Sequence, residues 1–219
     1  MARGLVNVRR TVDTLTPRLS SLQREQLPFA IASSLTATAR GVVEDLRRDM
    51  VGAFQSPVRY TLQGVAFLSA SKARPTATVL IKDRAAGTAP ASYLTPGIKG
   101  GGRNAKGAEV ALRARGLIGS DDYLVPAVAA RRDASGNVGR AQIRAMLAGL
   151  GTLYTVDTID GVRAVWVRRA RKVRPFMLIV KAPQYSARFD FFALAERHAL
   201  ARFPVEFDAA LRRALASAR

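Results

Sequence analysis

No cysteine occurs in the 219 residues. A disulfide framework, a thiolate nucleophile and a cysteine-based zinc site are therefore excluded, and the chain is compatible with a reducing cytoplasm. Histidine occurs once, at His198, and tryptophan once, at Trp166. A lone histidine with no serine, cysteine or second histidine in a recognisable relation to it gives no catalytic triad or histidine metal cluster. No apolar run approaches the roughly 20 residues of a membrane-spanning helix. The opening "MARGLVNVRRTVDTLT" has no apolar core behind its charges, unlike a signal peptide. These features give the expectation of a soluble chain with no membrane span.

Acidic residues are few, and the basic ones are mostly of one kind. Sixteen Asp and Glu face 35 Lys and Arg, for a net charge of +19, and only six of the 35 are lysine. Arginine makes planar, bidentate contacts with carboxylate and phosphate. A surplus of this size points to an anionic partner: nucleic acid, an acidic protein surface or a membrane face. The plainer alternative is a solvated surface decorated with arginine. Hydrophobic residues make up 48% of the chain, enough for a real core.

The periodicities predict an α+β fold, a mostly antiparallel sheet covered by a long N-terminal helix and C-terminal helices. Leu5 to Val8 reads as a short strand, and Thr11 to Glu25 as a short helix weakened by Pro17. Pro28 suits a first helical turn. From there Ile31, Leu35, Val42, Leu46 and Met50 fall on one stripe, with Arg40, Glu44, Arg47 and Arg48 on other faces. The helix is expected over Pro28 to Phe54, ended by Ser56-Pro57. "GVAFLSA" (Gly64 to Ala70) and "TATVLIKD" (Thr76 to Asp83) read as a hairpin. A helix over "GRAQIRAMLAGL" precedes "LYTVDTIDGVRAVWV", where Asp160-Gly161 marks a type I′ turn. "PFMLIVK" (Pro175 to Lys181) suits the centre of a sheet. Two helical segments close the chain, Asp190 to Phe203 and Pro204 to Ala218, the second with Phe207, Leu211 and Leu215 as its stripe.

Large apolar side chains thin out between about Asp83 and Gly139. A single domain over residues 1–219 is expected, with 84–138 as an extended basic arm or insertion. Within it, "YLTPGIKGGGRNAKGAEVALRARGLI" (Tyr93 to Ile118) places three glycines among cations, with a short helix over Lys106 to Arg115. A P-loop needs Gly, four residues, then Gly-Lys-Ser/Thr, and a dinucleotide fingerprint needs G-x-G-x-x-G. Gly97, Gly100, Gly101, Gly102 and Gly107 satisfy neither spacing. The acidic residues form no glycosidase-like or metal-like pattern. Asp121-Asp122 is a tight acidic pair, read as loop solvation or capping rather than a cation site. His198 reads as structural, and Trp166 as core or sheet surface. No catalytic, cofactor or metal residue is assigned, and the chain is not expected to be an enzyme.

Two basic groups remain as candidate contacts to a partner or nucleic acid. The first is Lys99, Gly100, Gly101, Gly102, Arg103, Lys106, Arg113 and Arg115, expected as a flexible docking arm. The second is Arg168, Arg169, Arg171, Lys172 and Arg174, between two strands. Aromatics near the arm are few (Tyr93, Tyr123), so base stacking of single strands is not indicated.

Five blocks carry a resemblance: "REQLPFAIASSLTATARGVVEDLRRDM", "ATVLIKD", the Tyr93 to Ile118 stretch, "VPA" followed by "RRDASGNVGRAQIRAMLAGL", and the ending from Phe176 to Arg219. In this order they resemble tailed-phage virion proteins of the minor tail protein Z, tail-completion and head–tail joining group. The resemblance implies a non-enzymatic structural component of the neck or tail, assembled in the host bacterial cytoplasm. It also implies a homo-oligomeric ring around the DNA channel, touching other head–tail proteins (portal, adaptor or tail) and in reach of the DNA backbone. A nonspecific nucleic-acid-binding protein acting in its own right is the alternative.

Overall fold

A computed structural model describes residues 6–7, 21–84 and 88–217. The elements run β1 (Val6–Asn7), α1 (Ser21–Ala53), α2 (Arg59–Leu62), β2 (Val65–Leu68), β3 (Thr78–Ile81), α3 (Pro90–Lys99), α4 (Gly107–Ala114), β4 (Asp122–Pro126), α5 (Arg140–Ala148), β5 (Tyr154–Ile159), β6 (Val162–Arg169), β7 (Lys172–Lys181) and α6 (Phe191–Ser217). The α+β class, the antiparallel sheets, the long early helix and the C-terminal helix are as the periodicities indicate. The chain divides into two compact units, residues 1–94 with 188–219, and residues 95–187. The division falls inside α3.

The first unit is built on α1 and α6. Of the stripe read from the sequence, Leu35, Val42, Leu46 and Met50 are buried and Ile31 is half-buried; full burial of each such side chain is worth roughly 1.5–3 kcal/mol. Helix α1 starts at Ser21 and carries Pro28 within it, not at its first turn. The expected helix over Thr11 to Glu25 lies outside the described residues up to 20; from Ser21 it is the start of α1. The helix stops before Ser56, whose φ of 46° turns the chain ahead of Pro57. Arg47 donates to the carbonyls of Leu62 and Val65, both at 3.1 Å, fastening α2 and β2 to α1. The strands form an antiparallel sheet in the order β1-β3-β2, with Val6 opposite Val79 and Val65 opposite Ile81. The strand expected at Leu5 to Val8 is thus present over Val6–Asn7.

Helix α6 is one continuous element, where two segments divided at Pro204 were expected. Its inward positions also differ. Phe191, Ala195, Ala199, Ala210 and Ala214 are buried, whereas Leu215 is 39% exposed. Ala30 on α1 clusters with Ala210 and Ala214, so small residues occupy the helix contact. Small side chains let two backbones come close, and that packing outweighs burial of the larger Phe207-Leu211-Leu215 stripe.

The second unit holds an antiparallel sheet in the order β4-β7-β6-β5 together with α4 and α5. Strand β7 is central, as its apolar run suggests. The β5–β6 turn is the expected Asp160-Gly161, with φ of 50° and 75°. Leu112, Ile118, Leu124, Met146, Tyr154, Val165, Val167 and Phe176 are among the residues of its core. Tyr154 and Phe176 meet edge-on with centroids 5.3 Å apart.

This corrects the reading of 84–138 as an extended arm. Residues 107–138 supply α4, β4, and core positions Leu112, Ile118, Leu124 and Ala130. The segment has too little apolar material for a core of its own, but it needs none, because β5, β6 and β7 complete it. Among the described residues no helix is long and apolar enough to cross a membrane.

Candidate functional site

The glycine run is not a free arm. Gly100 and Gly101 adopt φ of 75° and 89°, a region that other residues enter at a cost. Gly101 and Tyr185 exchange two backbone hydrogen bonds, each 2.9 Å. A Cβ on Gly100 would lie 3.1 Å from the Tyr185 carbonyl oxygen. The loop is pinned, and glycine permits the close approach.

Arg103, expected as a contact cation, is tied to Glu109. Its Nη1 and Nη2 donate to Oε2 and Oε1 at 2.9 and 2.5 Å. Glu109 is fully buried on the first turn of α4. It also accepts the backbone N–H of Lys106 at 2.6 Å and that of Leu124 at 2.8 Å. Burial opposes its ionisation, but the bonds from Arg103, Leu124 and Lys106 prevail and hold the carboxyl below its ordinary pKa. The Glu109 contact in turn raises Arg103, against the effect of burial. One carboxylate thus joins the glycine loop, the start of α4 and strand β4.

The remaining cations of the first group divide. Arg113 lies against the Tyr123 ring at 5.1 Å, as Arg103 does at 4.8 Å, and its Nη2 donates to the Asp122 carbonyl at 3.0 Å. Arg115 donates to the Leu147 carbonyl at 2.9 Å. Lys99, Gly102 and Lys106 are exposed. Lys99 closes α3, where a cation complements the helix dipole.

Asp122 is equally committed. Its Oδ2 accepts from the Gly119 N–H at 2.7 Å and Arg163 Nη1 at 2.6 Å, and its Oδ1 from Lys181 at 3.1 Å. The Gly119 bond leads the forces that lower its pKa to about 2, against burial, with Lys181 and Arg163 adding to it. This places Asp122 in a structural role, but not the expected one: it is buried at the start of β4 and ion-paired, neither solvated in a loop nor capping a helix. Among the described residues no three His, Asp or Glu side chains could share a metal ion.

The second group has a different setting. Arg168 and Arg169 end β6, Lys172 and Arg174 begin β7, and Ala170-Arg171 is the two-residue turn between them. This run, expected as a connection between two strands, is the tip of a hairpin. All five cations are exposed. Among the described residues none of the five forms an ion pair or a side-chain hydrogen bond. Arg169 stands directly opposite Lys172. Trp166, just below, is buried and donates Nε1–H to the Asp157 carbonyl at 3.1 Å, which fits a core or sheet residue.

In the first unit, His198 sits between two carboxylates of α1. Its Nε2 is 2.7 Å from Asp49 Oδ2 and its Nδ1 is 3.7 Å from Asp45 Oδ2. Asp45 also receives Arg202 at 2.5 and 2.8 Å and pairs with Arg48. The Arg202 bonds are the largest of the forces that lower the Asp45 pKa, against burial. Arg202 lies over Gly41, where a Cβ would come within 2.5 Å of its Nη1. Aspartates four apart on α1 meet His198 and Arg202, four apart on α6, and brace the two helices.

Sequence reasoning missed Glu109, Tyr123 and the Asp122 network. One signal was present: Lys106-x-x-Glu109 has the spacing of an N-cap residue and its N3 carboxylate. No protein-family model matches the chain, and no curated protein or solved structure matches it either.

Proposed function

We propose that the protein is a structural virion component of a tailed bacteriophage, placed at the head–tail junction or in the tail. It acts by assembling as a homo-oligomer around the DNA channel, beside portal, adaptor or tail proteins. The observation that carries the reading is the exposed cationic tip between β6 and β7, whose five cations have no ion-pair partner among the described residues. Such a tip costs folding stability and is repaid by an anionic neighbour. The order of sequence blocks narrows that neighbour to the surroundings of a phage DNA channel. Unit two carries sixteen basic and six acidic residues between positions 95 and 187, a surplus of ten.

The test is composition of the particle. Mass spectrometry of density-purified tailed particles from the strain encoding the chain is expected to find it at several copies per particle. Its presence in the lysate and absence from the particles would overturn the reading. A second reading, a nucleic-acid-binding protein acting alone, is favoured by the same tip. It requires the chain to be found on intracellular DNA and not in particles.

A further inference from the structure

We infer that the tip of the β6–β7 hairpin, Arg168 to Arg174, is a contact site for the sugar–phosphate backbone of double-stranded DNA. The inference rests on the reading that this tip faces an anion, and it names the anion.

The tip is set apart from its sheet. Strand β5 pairs with β6 only as far as Tyr154 opposite Val167, and β4 pairs with β7 only as far as Pro126 opposite Met177. Single backbone bonds extend the flanks to Arg168 on one side and to Phe176 and Pro175 on the other. Beyond them Arg169 to Arg174 is a two-stranded ribbon. Two strands lie about 4.8 Å apart, and a two-stranded ribbon is among the elements that the major groove of B-form DNA, about 12 Å wide, admits.

The ribbon is also a poor structure on its own. Five of the seven residues of the tip, 168 to 174, are cationic, with no acidic residue among them. Arg169 and Lys172 are opposed across the ladder, an arrangement that like charges disfavour. Ala170 turns the chain at φ 52°, in the left-handed region. Several local rules broken at one exposed place mark a functional site. A phosphate lying between Arg169 and Lys172 converts their repulsion into two attractions.

The choice of anion follows from what accompanies the charges. Four of the five are arginine, suited to forked phosphate contacts. No Asn, Gln or aromatic lies between 168 and 174, so neither adenine readout nor base stacking is provided. This fits backbone contact to a duplex without sequence preference. An acidic protein surface is disfavoured because protein interfaces centre on buried aromatic or aliphatic anchors. The tip offers only Val173, 44% exposed, and Ala170. The glycine-loop group is a weaker candidate, since Arg103, Arg113 and Arg115 are already bonded within the unit.

The test is fluorescence anisotropy of the full chain with a labelled random-sequence duplex, titrated at several salt concentrations. Contact through five cations gives a slope of log affinity against log salt of about −4.5. Arg169→Ala with Lys172→Ala is expected to bring it to about −2.7, with at least a tenfold loss of affinity near 0.1 M salt. Arg197→Ala with Arg213→Ala, exposed on α6 in the other unit, removes the same charge and is expected to leave the slope unchanged. Far-ultraviolet circular dichroism on each variant verifies folding. Equal losses in the two double variants would reduce the effect to net charge and overturn the assignment. So would wild-type binding by the tip variant, or no duplex binding at 50 mM salt with tip-dependent capture of polyglutamate. A tip variant that loses DNA but still enters particles leaves the virion reading standing. A chain that binds duplex through the tip but is absent from particles leaves only the tip.

Discussion

At the scale of single residues, carboxylates carry much of the structure. Glu109 is buried and satisfies Arg103, Lys106 and Leu124. Glu109→Ala removes the carboxylate partner of a partly buried guanidinium and of two backbone N–H groups, and is expected to cost about 3–5 kcal/mol. Urea unfolding checks this; a loss under 1 kcal/mol contradicts the anchoring role. Asp122, held at about 2, lies below its unfolded value. Its contribution is therefore present above roughly pH 4 and is lost as the pH falls towards 2. The stability gap between wild type and Asp122→Asn is expected to be full at pH 6 and to shrink below pH 4, measured by urea midpoints at each pH. Gly41→Ala puts a methyl group where Arg202 lies. The gain in helix propensity is about 1 kcal/mol, but displacing Arg202 deprives the buried Asp45 of its bidentate partner. A net loss of about 1–3 kcal/mol is expected on thermal melting. None of these partnerships was legible beforehand, except that Glu109 stands three residues after a cap. Which cation a carboxylate meets depends on chain segments far apart, as with Asp122 and Lys181.

At the scale of elements, legibility follows locality. The Asp160-Gly161 hairpin was readable because its turn chemistry lies in two adjacent residues. The α1 stripe was readable because its repeat, Ile31 to Met50, runs over about five turns. Helix α3 was not, since Pro96 and Gly97 look like breakers although they sit inside it. Strand β4 was hidden by its short run and by Asp122 at its start. The cationic strand ends were hidden because arginine and lysine at a hairpin tip look like any polar loop. Ala170 offers an element-level test. Ala170→Gly relieves the left-handed turn and is expected to stabilise the second unit by about 0.5–1 kcal/mol, read as a rise in melting temperature. A fall in stability would mean that the φ of 52° is not a strained position.

At the scale of the whole molecule, the sequence reading placed the excursion at 84–138, whereas the contacts enclose residues 95–187 as one unit. The error has a physical source. Strand patterns in β5 to β7 announce that strands exist, but not which sheet they join. That choice is made by long-range pairing, such as Tyr123 with Val180. The second unit is continuous in sequence and has its own core. Residues 95–187 expressed alone are expected to unfold in one cooperative transition and to retain duplex binding, checked by circular dichroism melts and anisotropy. A fragment without a cooperative transition would show that its core is incomplete.

The pairing of α1 with α6 also bears on how the chain is made. Asp45 and Arg202 are 157 residues apart. On a ribosome, Leu35, Val42, Leu46 and Met50 emerge long before α6 has been translated. The inserted unit has all its strands by then and can close first, since domains fold as units during synthesis. The first unit must wait, with the α6-facing side of α1 uncovered for the time needed to add some 150 residues, on the order of ten seconds at about 15 residues per second. That interval is the period in which nascent chains of this protein are open to chaperone capture or to mispairing with one another.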